Sequence, residues 1–404
     1  NAAAAEMRER IAARLGELLL QRPGDVRLQR QQLLLSRAHI STIHSFCNDL
    51  VRENFYKLGI SPDFRISDAV EMSLLRQEAM EQVLEELYET GDEFAGFAEF
   101  FSSGRDDSRL LRTVETLYDF VRSHPFPEQW LEQKEQMYLI PQPAKDTDWG
   151  KTVLRFARSA LDYCASLTRN ALALIEQDEK LQQAYSPALS ADLAGISEQQ
   201  KTAAQGEWDA VCQAVGAFRF ERLKALRGYQ DHPLKQRAAA SRDEVKEVIL
   251  RLKRLFSFDE AQCREDIANL APLIHQLFET VRRFSSRLDA LKAERRVADF
   301  GDLEHWTLRL LVRAEDGGYV RTPEAEELAN NFDEVMVDEY QDTNEAQDMI
   351  FRAVSQREQN LFMVGDVKQS IYRFRQAMPE IFLRRKAAYP RYDPQKNDYP
   401  ACIV

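Results

Sequence analysis

Helix breakers are scarce in this chain: glycine (15) and proline (14) are few among 404 residues, together about 7% where average usage is roughly 12%. That scarcity excludes a collagen, a low-complexity linker and a many-turned β-sandwich, and it predicts a helix-rich protein. Cysteine is sparse too. The five cysteines, at 47, 164, 212, 263 and 402, lie far apart and form no CxxC pair. A zinc or iron–sulfur framework and a disulfide-dense secreted scaffold are therefore excluded, and reduced thiols in a cytoplasmic protein are expected. No apolar run approaches the ~18 residues needed to span a bilayer, and no signal peptide is read at the start, so no membrane partner is expected. Basic residues are outnumbered, giving a net charge of −12. That balance argues against a passive nucleic-acid coat protein but leaves room for a local basic groove, because steering depends on where charge sits.

What is present suffices for a large core, with 44% hydrophobic and 30% charged residues, a globular composition. The length allows roughly two to three domains. The chain opens at Asn1 directly in AAAAEMRERIAARLGELLLQ, with Met7, Ile11, Leu15 and Leu18 at helical spacing, and stops at DYPACIV. It is expected to be an internal piece of a longer protein. CNDLVRENFYKLGI predicts a helix ending at Gly59, and residues 69–296 are helical almost throughout, with breaks expected at SHPFPEQ, PQPAKDTDWG and AYSPALSADLAG. From Val297 the texture changes. FDEVMVDEYQDTN and NLFMVGDVKQS each carry a short apolar run, Val335 to Val337 and Leu361 to Val364, expected as buried strands. Strand, polar loop, helix, strand, polar loop is the rhythm of a parallel α/β sheet with its site at the strand ends. The expected architecture is α/β, one sheet domain built from 1–66 and 298–404 and interrupted by an all-helical insertion, 67–297. Three consecutive domains are the other arrangement, but each flanking piece is then short of strands.

Three segments carry chemistry. In Val335-Met336-Val337-Asp338-Glu339-Tyr340-Gln341-Asp342 a strand delivers two adjacent carboxylates, the arrangement by which nucleoside triphosphatases hold Mg²⁺ and activate water. Seven acids and no base fall between Asn331 and Asp348, a density that costs repulsion unless a cation offsets it. In the second segment, 364–375 (VGDVKQSIYRFR), Gly365 permits a tight strand exit. Lys368 and Gln369 offer donors to phosphate there, and Tyr372 and Phe374 alternate with Arg373 and Arg375. Aromatic faces interleaved with guanidiniums suit unstacked bases and phosphates. The third is Ser41-Thr42-Ile43-His44-Ser45-Phe46-Cys47, where hydroxyls and an imidazole beside a helix start can hold a backbone phosphate. A lone histidine there also suits a structural role, and Cys47 is expected as packing. Asp299-Phe300-Gly301-Asp302-Leu303-Glu304 is expected to cap a helix.

DEYQDTN followed by VGDVKQSIYRFR is similar to motifs II and III of the superfamily 1 UvrD/Rep helicases. STIHSFC resembles their DNA-contacting motif Ib, and NAAAAEMRERI the end of motif Ia. KQSIYRFR with AMPEIFLRR, ADFGDLEHW and the long helical stretch resemble the helicase–nuclease (AddA-type) branch, with RecB-type chains as near relatives. The resemblance implies an incomplete P-loop, RecA-like domain using ATP and Mg²⁺. Asp338 would hold the metal and Glu339 would activate water, with Gln341 and Gln369 sensing the γ-phosphate. Tyr372 and Phe374 would stack on bases, supported by Arg373, Lys368 would join them in binding DNA, and Thr42 and His44 would touch the strand's backbone. It further implies single-stranded and duplex DNA as partners, a second chain of AddB type, and a 3′→5′ helicase–exonuclease resecting DNA ends for recombinational repair. No GxxxxGK[ST] occurs in these residues, so this chain alone is expected to be inactive as a motor. The alternative from a different class is a DNA-binding or docking module without ATPase activity.

Overall fold

The computed structural model describes residues 2–89, 92–101, 107–139, 142–315, 318–370, 376–395 and 402. Helices dominate. In chain order they begin with α1 (Ala2–Gln21), α2 (Val26–Leu34), α3 (Ile43–Glu53) and α4 (Phe55–Leu58), followed by strand β1 (Arg65–Ile66). Then come α5 (Ala69–Glu89), α6 (Asp92–Phe101), α7 (Ser108–Val121), α8 (Pro127–Gln136), α9 (Asp148–Ile175) and α10 (Glu179–Gln205). The stretch closes with α11 (Trp208–Ala217), α12 (Pro233–Leu255) and α13 (Glu260–Arg295). The last part holds β2 (Val297–Ala298), α14 (Phe300–Leu311), the hairpin β3 (Val312–Glu315) and β4 (Gly318–Arg321), and α15 (Pro323–Asn330). It ends with β5 (Val335–Val337), α16 (Glu345–Val354), β6 (Leu361–Met363) and α17 (Pro379–Ala388). The chain divides into two compact units, residues 134–275 and the remainder. The long helical stretch is shared out between them: α5, α6 and α7 fall in the larger unit.

The 134–275 unit is a helical assembly whose core follows from spacing. On α9 the buried residues Leu154, Ala157, Leu161, Cys164, Ala165, Thr168, Ala171 and Ile175 recur every three or four positions, a single apolar stripe at the 3.6-residue period. The first five share a cluster with Ile196 and Ala203 of α10 and Val245, Ile249 and Leu252 of α12, and Ala171 and Ile175 a second one with Leu181 and Leu189 of α10. AYSPALSADLAG does not break the chain as expected. Pro187 lies inside α10. A proline costs a helix roughly 3 kcal/mol, but the turns around it bury Leu181, Tyr185 and Leu189, so packing outweighs the lost hydrogen bond. The helices instead break at 176–178, at Gly206 and, at greater length, over the irregular run 218–232 between α11 and α12. That run is held by the buried Asp192, whose Oδ1 accepts the Glu221 N–H at 2.9 Å and whose Oδ2 accepts from Arg242 Nε at 2.7 Å.

In the larger unit, α14 is the central helix and packs against α3 and α16. Its start is fixed by a reciprocal capping box: Asp299 Oδ1 accepts the Asp302 N–H at 2.8 Å, and Asp302 Oδ2 accepts the Asp299 N–H at 2.9 Å. Those acids therefore cap the helix, as ADFGDL predicts. The helix predicted to end at Gly59 is interrupted at Asn54 and does end at Gly59, whose φ of 68° supplies the left-handed turn that favours glycine. Three two-stranded sheets are described. β1 and β2 pair in parallel, Arg65 opposite Val297 and Ile66 opposite Ala298, so the residues before and after the long helical stretch lie side by side. β3 and β4 form an antiparallel hairpin, and β5 and β6 pair in parallel with Val335 opposite Leu361. The β5 and β6 runs are not buried strands. Met336 is 70% and Phe362 51% exposed, because alternate residues of a strand face opposite ways and only the Val335 side packs into the core.

Candidate nucleotide and nucleic-acid site

Because β5 and β6 run in the same direction, both strand exits lie at one end of the pair. The ladder carries on past the strands: the Val364 N–H reaches Val337 O at 2.9 Å, and the Tyr340 N–H reaches Val364 O at 2.9 Å. One exit presents Asp338 and Glu339, the other Gly365 and Asp366. Gln341, almost wholly buried, ties the two loops together. Its Nε2 donates to Glu339 Oε2 at 2.6 Å and its Oε1 accepts the Asp366 N–H at 2.9 Å. A Cβ at Gly365 would overlap Gln341 Oε1 and lie 3.1 Å from Gln341 N, so close approach of the loops requires glycine there. Glu339 itself sits at φ 52°, a left-handed conformation costing a non-glycine residue about 1–2 kcal/mol. Such strain persists where the surroundings fix it. Asp366 then caps the next turn, accepting the Lys368 N–H at 3.0 Å and Gln369 Nε2 at 3.2 Å.

The seven acids of 331–348 separate into distinct sets. Asp333 and Glu334 are exposed. Glu345 accepts from His124 Nδ1 at 2.8 Å and lies 3.4 Å from Arg384; the imidazole holds this carboxyl below the ordinary glutamate range. Asp348 accepts from the buried Tyr340 hydroxyl and from Arg385 at 2.8 Å. Burial and the Asp348 carboxylate push the Tyr340 phenol well up. Arg385 also reaches Glu358 at 2.5 Å, so α17 neutralises the far end of the acidic run. Asp338, Glu339 and Asp342 have no cationic partner among the described residues. Burial first, and then the neighbouring Glu339 charge, raise the Asp342 carboxyl above the ordinary aspartate range, since both disfavour the charged form.

No three or more His, Cys, Asp or Glu converge as a ready metal cluster among the described residues. The donor set nevertheless fits Mg²⁺, which binds through one or two carboxylates plus substrate phosphates rather than through an all-protein cage. Asp338 offers an exposed carboxylate at a strand end, beside two further acids that no base neutralises among the described residues.

The motif at the start of α3 lies on the same unit. Thr42 caps the helix through its Oγ1, which accepts the Ser45 N–H at 3.3 Å. His44 stacks on Phe300 with ring centres 4.6 Å apart, and its Nε2 lies 2.9 Å from Glu304 Oε1. The same buried oxygen accepts Gln347 Nε2 at 2.7 Å, so Glu304 links α3 to α16. The sequence did not single out Glu304 as part of a site. The only signal is an acid within ADFGDLEHW, on the face of α14 opposite Asp302. Cys47 is fully buried, and burial pushes its thiol up to about 12. The structure thus brings Asp338, Glu339, Gln341 and Gln369 together around two loops and engages His44 with Glu304. Tyr372, Arg373 and Phe374 lie outside the described residues.

A helix-rich chain whose parallel strand pair ends in DEYQD and GDVKQ loops has the features of a helicase motor segment. The profile of the UvrD/REP helicase N-terminal domain matches residues 1–390, and the chain belongs to that family. It is 39% identical over 394 residues to an ATP-dependent helicase/nuclease subunit from Geobacillus kaustophilus, covering 95% of this chain and 32% of that protein. The helicase/nuclease subunit of the same name from Desulforamulus reducens is 38% identical over 97% of this chain, and that from Acetivibrio thermocellus 36% identical over 98%. The chain spans about a third (32%) of the length of these curated relatives. No described helix is long and apolar enough to cross a membrane.

Proposed function

We propose that the loops after β5 and β6 form one half of an ATP-hydrolysis site, within a longer helicase–nuclease that unwinds and resects DNA ends in recombinational repair. The observation that carries this is the Gln341 bridge, which holds Glu339 and the Asp366 amide at fixed separation across two parallel strand ends. Asp338 would hold Mg²⁺, which when bound supplies charge neutralisation at the β- and γ-phosphates. Glu339, fixed by its own backbone and by Gln341, accepts the proton of the attacking water. Gln341 and Gln369 sense the γ-phosphate, since both hydrogen-bond the loop acids, and a change there moves the start of the 364–375 segment. Phosphate cradling falls to residues outside this chain, so the chain alone does not turn over ATP.

DNA follows the basic and aromatic side. Lys368, exposed and in no ion pair among the described residues, takes a phosphate. Tyr372 and Phe374 stack on bases beside Arg373, and Thr42 and His44 meet the strand's backbone, moving 3′→5′. The architecture we favour is a RecA-like sheet domain from 1–66 and 298–404 with an inserted helical arm at 67–297, supported by the β1–β2 pairing that closes the ends of that stretch. The arm meets duplex DNA and a second chain of AddB type, in the cytoplasm. The test is Glu339→Gln in the longer protein, measured for ATP binding and for DNA-stimulated hydrolysis. Binding retained with turnover lost is the expected result; near-normal turnover returns these loops to a non-catalytic docking module. Phe374→Ala is expected to weaken single-strand binding by about 1–3 kcal/mol, and unchanged affinity removes the stacking role.

A further inference from the structure

The face of α14 turned away from Glu304 lines a cavity of about 770 Å³, inside the roughly 300–1,000 Å³ range of small-molecule sites. Asp302, His305, Trp306 and Arg309 line it at i, i+3, i+4 and i+7, one helical stripe, with Arg313 following on β3. Two kinds of surface meet there. Trp306, Phe64 and Phe126 give an apolar wall flanked by Pro125 and Pro127, with Phe64 edge-on to Trp306 at 5.2 Å. The charged groups are Arg122, Lys292, Arg296, Arg309 and Arg313 against Glu128, Asp289 and Asp302, a cationic excess within an acidic chain.

Pairing decides which cations are available. Lys292 is buried against Asp302 at 2.6 Å and Asp289 at 3.1 Å, and Arg122 reaches Asp302 at 2.8 Å. Arg296 pairs with Asp63 at 2.6 Å. Arg309 and Arg313 are exposed and pair with no carboxylate among the described residues. Arg309 uses one N–H on Leu58 O, at 3.0 Å, which leaves most of its five donors open. His305 donates Nε2–H to the Arg122 carbonyl at 2.8 Å and adds no charge at neutral pH.

We propose that this cavity binds one nucleotide unit, with the base against Trp306 and Phe126 and the phosphate on Arg309 and Arg313. A flat uncharged ring suits an aromatic and proline wall, and a guanidinium pair matches phosphate in fork geometry. A purely apolar ligand leaves those donors unused. A metal-bound triphosphate finds no unpaired carboxylate among the described lining residues, because Asp289 and Asp302 are engaged by Lys292 and Arg122 and Glu128 by Arg282 at 3.1 Å. A free mononucleotide and one nucleotide of a single strand share this chemistry. The site lies on the opposite face of α14 from Glu304 and stands independently of hydrolysis at Asp338 and Glu339.

The experiment is photo-crosslinking of the full 404-residue chain in EDTA, with azido-adenosine monophosphate in one arm and a thiothymidine oligonucleotide in the other, mapping the labelled peptides. Label on cavity residues is expected without metal, in Glu339→Gln as in the unaltered chain. Label from the monophosphate alone names a free nucleotide, and label from the oligonucleotide alone names a strand. The Arg309→Glu, Arg313→Glu double variant should bind about tenfold or more weakly at unchanged melting temperature. Arg313→Glu alone serves if the double variant melts early. Absence of cavity label from both probes, or full affinity in the charge-reversal variants, overturns the proposal. So does retention of polyglutamate with neither nucleotide probe bound.

Discussion

The 134–275 unit and the β5–β6 end of the larger unit solve the same problem, holding distant residues together, by opposite means. In the first, long helices repeat apolar residues at one period, and almost every core contact follows from that repeat. Polar chemistry enters its core chiefly through Asp192 and Arg242, which fasten the irregular 218–232 run. In the second, strands three residues long bury little. Order comes instead from side chains reaching across loops: Gln341 between Glu339 and the Asp366 amide, Glu304 between His44 and Gln347, and Arg385 between Asp348 and Glu358. A repeating apolar stripe tolerates local irregularity such as Pro187. A bridge of single hydrogen bonds does not, and it leaves carboxylates at the strand exits without a cationic partner among the described residues.

Four experiments sharpen or break this contrast. The largest effect is expected from Glu339→Gln in the longer protein, where loss of a general base costs roughly 10²–10⁴ in turnover. Thermal melting should stay put, because Glu339 is exposed; a destabilised variant would make the residue structural and dissolve the distinction. Arg242→Ala is expected to do the reverse. It leaves Asp192 buried without its ion pair, a loss of about 3–5 kcal/mol in urea unfolding, with no effect on chemistry at the strand exits. A loss below about 1 kcal/mol, the scale of an exposed pair, would mean water replaces the guanidinium and that the helical core is less dry than it looks.

Gly365→Ala bridges the two cases. The added methyl must displace the Gln341 carboxamide, a crowding cost of about 1–3 kcal/mol, and it should lower turnover along with stability. Normal activity in this variant would show that the bridge is dispensable. The smallest effect concerns His305, whose imidazole is driven down to about 3 by burial and by the neighbouring Arg122 charge. The unfolded chain then binds a proton that the folded one does not, so stability falls as pH drops below the ordinary histidine value of ~6.5 and continues to fall toward 3. Between pH 6.5 and 5 the loss should be about 1–2 kcal/mol. In His305→Asn that slope should flatten, and an unchanged slope would assign the acid sensitivity to other groups.

Much of this was legible beforehand. The helical stretch from Ala69 to Arg295, the end of α4 at Gly59 and the Asp299–Asp302 capping box each follow from patterns a few residues long. The two apolar runs were legible as strands, and their parallel pairing accords with the rhythm around them. Their exposure was not. Met336 and Phe362 are as apolar as core residues, and only the absence of a covering layer among the described residues leaves them in water. Pro187 misled for a related reason, since propensity is local and the burial that overrides it is not.

The sequence by itself determined the helix-rich character, the phase of each apolar stripe and the placing of two acidic loops after two strand runs, because backbone propensity and side-chain period act over one or two turns. Tertiary structure alone decided which of seven acids are neutralised by the described residues. It also made Gln341 the link between loops, and it turned ADFGDLEHW into a helix with a polar junction on one face and a cationic, aromatic cavity on the other. Those outcomes depend on distances of a few ångströms between residues far apart in the chain, and such distances exist only once the chain has closed on itself.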